Sequence, residues 1–183
     1  MKTMLKEMKK PKNEISQKKL DIFERIVQKY EGQNDACEVK FLEAMEEHLT
    51  KEQRFRIFEQ NGGCKGTGND KERKAFALEH AHMDLAERLE IFTKNFGRKA
   101  VLNSDNTITV TFACTHGYYK RAREGKIYSL PPSIQSYFER CAGGRLYEYE
   151  KALGIKLRIK SVDVSPLSEN IENSVIFTFE IMD

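Results

Sequence analysis

No stretch of this chain is apolar over the length that crossing a bilayer requires. The first twelve residues are basic, yet they lack the apolar core of a secretory leader. These two absences set the expectation of a cytoplasmic protein with no membrane partner. Charge of one sign is scarce as well: 31 basic and 28 acidic side chains leave a formal net charge of +3 over 183 residues. The basic residues form only short runs, Lys9-Lys10 with Lys12, and Lys120-Arg121-Ala122-Arg123. A nucleic-acid binder gathers its basic residues on one face, so no nucleic-acid partner is expected. Internal repeats and low-complexity tracts are absent. Gly66-Thr67-Gly68 lacks the Lys-Ser/Thr ending of a phosphate loop, which disfavours a nucleotide. Cysteine is limited to Cys37, Cys64, Cys114 and Cys141. In a reducing compartment these stay thiols, serving packing, metal binding or catalysis rather than disulfides.

What is present suits one heavily charged globular domain able to bury a substantial core. The reading is a flexible basic N-terminus over 1–12 and a single α+β domain over 13–183, with a helical part at 13–97 and a sheet-containing part at 98–183. Leu20, Phe23, Val27 and Tyr30 recur at helical spacing up to Gly32. A second helix is expected over about 36–49, with Phe41, Leu42, Met45 and Leu49 on its apolar stripe. Thr50-Lys51-Glu52-Gln53 has the form of a capping box and starts a third helix, which carries Phe55 and Phe58 inward and stops at Asn61-Gly62-Gly63. One long helix is then expected over about 70–95, capped by Asn69 or Asp70, with Leu78, His82, Leu85, Leu89 and Phe92 on its buried side.

Beyond Gly97 the period changes. Thr107-Ile108-Thr109-Val110-Thr111-Phe112 alternates and is rich in β-branched residues, so it predicts a half-buried strand after a turn at Asp105-Asn106. A long irregular segment from Gly117 to Leu130 ends at Pro131-Pro132. Ser133 then begins a helix that carries Ile134, Phe138, Cys141 and Leu153 and closes at Gly154. Strands over 156–164 and 175–181 complete a strand–helix–strand–strand half, the last two paired as a hairpin. Helices first and strands later predict α+β, a helical half packed on a small antiparallel sheet.

Three cysteines stand at or near the edges of these elements: Cys64 after Asn61-Gly62-Gly63, Cys114 in Phe112-Ala113-Cys114-Thr115-His116-Gly117, and Cys141 before Ala142-Gly143-Gly144. A strand ending near a cysteine, a helix bearing Cys141-Ala142-Gly143-Gly144 and closing at Gly154, and a hairpin ending in Val175-Ile176-Phe177-Thr178-Phe179-Glu180-Ile181 are together similar to the 4-vinyl reductase domain. A closer resemblance is to small bacterial proteins of unassigned function that are likened to L-2-amino-thiazoline-4-carboxylic acid hydrolase. The resemblance spans about residues 55–183 and implies their fold and a ligand pocket. Two departures alter the ligand set it implies: His116 and Gly143 stand where a second cysteine often follows, and Ile176 occupies a last-strand position commonly held by cysteine.

Zinc takes cysteine and histidine in tetrahedral sets, and Cys64, Cys114, His116 and Cys141 would supply Cys3His. In an extended strand Cys114 and His116 point to one face. An iron–sulfur cluster fits less well, because it needs thiolates chiefly. The simplest competing reading is separate buried cysteines, each behaving as a small apolar side chain. A nucleophilic reading uses Cys114 activated by His116, or a thiolate activated by His82, which is also a candidate ligand-binding residue. Tyr118 and Tyr119 would line a ligand pocket, with Arg121 or Arg123 gripping a carboxylate. Gly143-Gly144 within a helix costs about 1 kcal/mol per glycine relative to alanine, a cost that close backbone approach to a neighbour or ligand would offset. The expected function is therefore a small-molecule- or metal-binding domain, with a Cys/His-dependent hydrolase of a small heterocyclic carboxylate as the alternative. A homodimer formed through the helical half is the remaining expectation.

Overall fold

The computed structural model describes residues 1–63, 65–96, 99–112, 134–164 and 175–182. Among the described residues the helices α1 (Lys2–Met8), α2 (Gln17–Lys29), α3 (Asn34–His48), α4 (Lys51–Asn61), α5 (Asp70–Glu79) and α6 (Leu85–Phe96) come first. Strands β1 (Lys99–Leu102) and β2 (Thr107–Phe112) follow, then helix α7 (Ile134–Leu153) and strands β3 (Lys156–Val164) and β4 (Val175–Met182). The strands form one antiparallel sheet in the order β1-β2-β4-β3. The protein is thus α+β, with most of its described helices N-terminal and its described strands C-terminal.

Alternation decides which side of the sheet is covered. Ile108 and Val110 of β2, Phe177 and Phe179 of β4, and Leu157 and Ile159 of β3 all turn inward and are buried. Their alternate neighbours Thr109, Ile176 and Arg158 are partly or fully exposed. Helix α7 packs against β3, α4 and α5. Its stretch 141–146 is buried on every side, so it forms the axis of the core with Phe138, Tyr149 and Leu153.

Two capping boxes set helix starts. Thr50 Oγ1 accepts from the Gln53 N–H at 3.2 Å, and Gln53 Oε1 accepts from the Thr50 N–H at 3.1 Å, as the sequence predicts. The second was not anticipated. Asp84 Oδ1 accepts from the Glu87 N–H at 2.9 Å and Glu87 Oε2 from the Asp84 N–H at 3.2 Å. This pair starts α6 and divides the single helix expected over 70–95 into α5 and α6. The expected buried stripe is broken with it. Leu78 is 80% exposed, and His82 is exposed in the turn between the two helices. Leu89 and Phe92 remain in the core.

The first residues depart from expectation too. Instead of a flexible basic tail they form α1, whose Met4, Leu5 and Met8 are buried. The apolar residues sit together on one side while the lysines around them face water, so the basic composition hid an amphipathic turn. Strand β1 was also missed. It is four residues long and pairs with β2 across Asn106, which takes φ 59°; four residues carry too little pattern to read alone.

The outer edge of β3 is closed by side chains. Its Leu157 N–H donates to Glu150 of α7 at 3.0 Å, and its Ile159 N–H donates to Glu59 of α4 at 2.9 Å. Unpaired edge amides template further strands, and here two carboxylates occupy them.

Candidate functional site

Two of the three cysteine-bearing segments meet where α4 ends against the middle of α7. The contact is backbone on backbone. A Cβ built on Gly143 would lie 2.0 Å from the Phe58 carbonyl oxygen, and one on Gly62 would lie 2.1 Å from the Gly143 carbonyl carbon. No side chain larger than hydrogen fits at either position, so the glycines that weaken α7 as a helix allow α4 to reach it. Just past this crossing the Gly63 N–H donates to the Arg140 carbonyl at 2.9 Å. The residue before Cys64 is therefore hydrogen-bonded to the residue before Cys141.

Arg140 joins a third helix to the crossing. Its Nη1 contacts Glu38 of α3 at 2.7 Å, and its Nε lies 3.5 Å from the position a Gly63 Cβ would take. That Nε is buried without a hydrogen-bond acceptor among the described residues. Cys141 is 4% exposed and belongs to the apolar core with Phe138 and Leu146. Cys37, near the N-terminus of α3, is buried as well, and burial pushes its thiol pKa upward. A thiol in that state is a poor nucleophile.

The remaining expected site residues fall into two groups. Cys64, Cys114, His116, Tyr118, Tyr119, Arg121 and Arg123 lie outside the described residues. His82 is described and does not reach the crossing: it occupies the exposed turn before α6, which corrects its placement on a buried face. Among the described residues no three histidine, cysteine or acidic side chains gather as a metal would require. No described helix is long and apolar enough to cross a membrane.

No family model matches the chain, and no curated protein or solved structure is significantly similar to it.

Buried charge is concentrated on α7. Glu139, fully buried, receives Arg54 of α4 in a two-pronged contact, Nε to Oε2 at 2.7 Å and Nη2 to Oε1 at 2.9 Å. One turn below the glycines, Glu148 is held between Arg73 of α5 at 2.8 Å and Arg145 at 2.6 Å. These contacts lock α4 and α5 to α7 on either side of the crossing. They are structural in geometry, with every partner supplied by the protein.

Sequence reasoning overlooked a second place, the face of α4 that turns toward β3. Glu52, Phe55, Arg56 and Glu59 recur at helical spacing and line one groove with residues of β3. The signal was available as a polar stripe beside the Phe55-Phe58 pair, but nothing in the sequence showed which strand would face it. Glu59 sits at its inner end. Burial raises its carboxyl pKa, and this outweighs the opposing hydrogen bond from Ile159 and the nearby Arg158 charge.

Because the folded state holds that proton more tightly than the unfolded chain, Glu59 costs stability as pH rises above the ordinary value of 4.5. Glu59→Gln keeps an acceptor for the Ile159 N–H and removes the charge. Its expected result is a higher melting temperature than the parent at pH 7, with the difference vanishing below about pH 4. Calorimetric melts across that range check it.

Proposed function

We propose that the protein is a small-molecule- or metal-binding domain whose site is built at the crossing of α4 and α7. The observation that supports this reading is the Gly63–Arg140 hydrogen bond beside the Gly62–Gly143 contact. It sets the chain leading into Cys64 against the helix that carries Cys141, although 77 positions separate the two cysteines (141 minus 64) in the sequence. Two thiol-bearing segments held together by backbone are a preorganised start for a soft-metal or ligand pocket. Cys114 and His116, just beyond the end of β2, are the donors that would complete a Cys3His set for zinc. Arg140 borders the crossing as a cation whose Nε still has donor capacity.

The experiment is elemental analysis of anaerobically purified protein, followed by timed alkylation of its thiols. The expected result is stoichiometric zinc, lost in both Cys64→Ser and Cys114→Ser, with Cys64 and Cys114 shielded from alkylation until the metal is chelated. Metal-free protein with one rapidly alkylated thiol would favour the Cys/His hydrolase instead. Metal-free protein whose thiols react only after denaturation would reduce the cysteines to packing residues and overturn the reading.

A further inference from the structure

The groove between α4 and β3 has a volume of about 490 Å³, within the range of metabolite-sized sites. Phe55, 7% exposed, and Ile159, 3% exposed, are core residues that show the groove only a narrow apolar floor, while Lys51, Arg56, Arg158 and Lys160 supply cations around it. These cations are not equally occupied. Arg158 is paired with Glu180 across the β3–β4 ladder. Lys160 is paired with Asp105 at 3.0 Å. Two carboxylates stand on the α4 wall: Glu59 accepts the Ile159 N–H, and Glu52 lies in the first turn beside Lys51.

Lys51 and Arg56 remain. The Lys51 ammonium stands 5.3 Å from the centre of the Phe55 ring and has no ion pair among the described residues. Arg56 Nη2 reaches Glu14 only at 3.5 Å, and Arg56 Nε is buried with no acceptor among the described residues. A donor withdrawn from water and left unbonded is costly, and an oxygen supplied by a ligand removes that cost.

We propose that this groove binds a small organic anion, a carboxylate or phosphate monoester with an apolar body. Arg56 and Lys51 hold its oxygens, and Phe55 and Ile159 cover the body. Guanidinium suits this role because its planar fork matches a pair of anionic oxygens, and its Nε–H is one prong of that fork. The ammonium over Phe55 adds a second charge directly above apolar surface. Glu59 offers little repulsion, since its oxygen is engaged by the β3 backbone and burial favours its protonated form. Glu52, an ionised carboxylate in the first turn, opposes an anion, and the neighbouring Lys51 charge offsets it. The site shares α4 with the cysteine crossing but uses a different face of the helix and none of the cysteines. It therefore stands or falls independently of any metal.

The test is a titration of the intact ¹⁵N-labelled protein with benzoate, phenyl phosphate, inorganic phosphate and benzyl alcohol, followed by amide chemical shifts. Benzoate or phenyl phosphate is expected to shift the amides of α4 residues 51–59 and of Ile159 saturably, and the tighter of the two names the head group. Inorganic phosphate and benzyl alcohol are each expected to bind at least about tenfold more weakly than the better aryl anion. Arg56→Gln and, separately, the surface substitution Lys51→Gln are expected to weaken that anion by about tenfold each, with the remaining amide spectrum unchanged. The proposal is overturned if neither aryl anion gives saturable shifts up to about 20 mM. It also fails if benzyl alcohol binds as well as the anions, or if both variants bind with the parent's affinity. Equal binding of inorganic and phenyl phosphate would remove the apolar part of the assignment.

Discussion

Gly143→Ala is expected to destabilise the protein by at least about 3 kcal/mol, near the upper end of the range for overpacked cores. Helix propensity alone predicts the opposite sign, a gain of about 1 kcal/mol for replacing glycine by alanine inside a helix. Packing decides the outcome. The added methyl would lie 2.0 Å from the Phe58 carbonyl oxygen and 2.6 Å from its carbon. Both are backbone atoms of a helix, so no rotamer change relieves the overlap, and α4 must move away from α7. That movement would also pull Gly63 from the Arg140 carbonyl and Arg54 from Glu139. Gly63→Ala is the control. The atoms nearest its Cβ belong to the Arg140 side chain, the first at 3.5 Å, an ordinary contact distance, and a cost under about 1 kcal/mol is expected. Urea denaturation of both variants checks the contrast. A Gly143→Ala protein as stable as the parent would mean that the two helices do not touch there.

The second large effect belongs to the buried pair on the other side of the same crossing. Glu139→Ala leaves the Arg54 guanidinium buried opposite an empty space, with the Leu49 carbonyl, 3.1 Å from Nη1, as its one remaining acceptor among the described residues. Removing one partner of a buried pair costs about 3–5 kcal/mol, because the surviving charge stays out of water. Replacing both partners together, Arg54→Met with Glu139→Leu, is expected to recover most of that loss, since two apolar groups of similar volume carry no desolvation penalty. The difference between the single and double variants is the measurement, again by urea denaturation. Little dependence on salt is expected, because screening acts weakly on buried charges. If the single substitution costs no more than an exposed one, the ion pair is not buried in solution.

These expectations rest on contacts that sequence reasoning reached unevenly. Thr50-Lys51-Glu52-Gln53 was readable because a capping box is local: each hydrogen bond closes within three residues. Asp84 and Glu87 obey the same rule, and that box was passed over because the apolar stripe continues at Leu85, Leu89 and Phe92. The strands over 107–112, 156–164 and 175–181 were readable from alternation, and a sheet covered on one face demands just that pattern. Strand β1 was not, because Lys99-Ala100-Val101-Leu102 becomes a strand only through the partner it finds in β2. In the N-terminal helix Met4, Leu5 and Met8 have helical spacing, but seven residues among lysines do not hold a helix without a core to bury them.

The candidate site divides the same way. Gly143-Gly144 announced itself as a place needing close approach, because two glycines inside a helix have a local cost. That α4, rather than a ligand, makes the approach depends on Gly62 and Phe58, more than eighty positions earlier in the chain. His82 fitted a buried face only while a single helix was assumed. The α4–β3 groove left only the polar stripe of α4 as a trace, since Arg56 and Ile159 are brought to one cleft by the packing of α4 on the sheet.

By itself, then, the sequence determined what short-range physics governs: helix starts at hydroxyl and carboxylate caps, strand faces from alternation, and the α+β order of elements along the chain. Tertiary structure alone decided the convergence of Gly63 with Arg140, the burial of Glu139 with Arg54, and the place of Arg56 beside β3, its Nε without an acceptor among the described residues. Capping and alternation act between residues a few positions apart and leave a pattern that can be read. A site is made by groups distant in sequence, and which of them meet is settled only when α4, α7 and the sheet share one core.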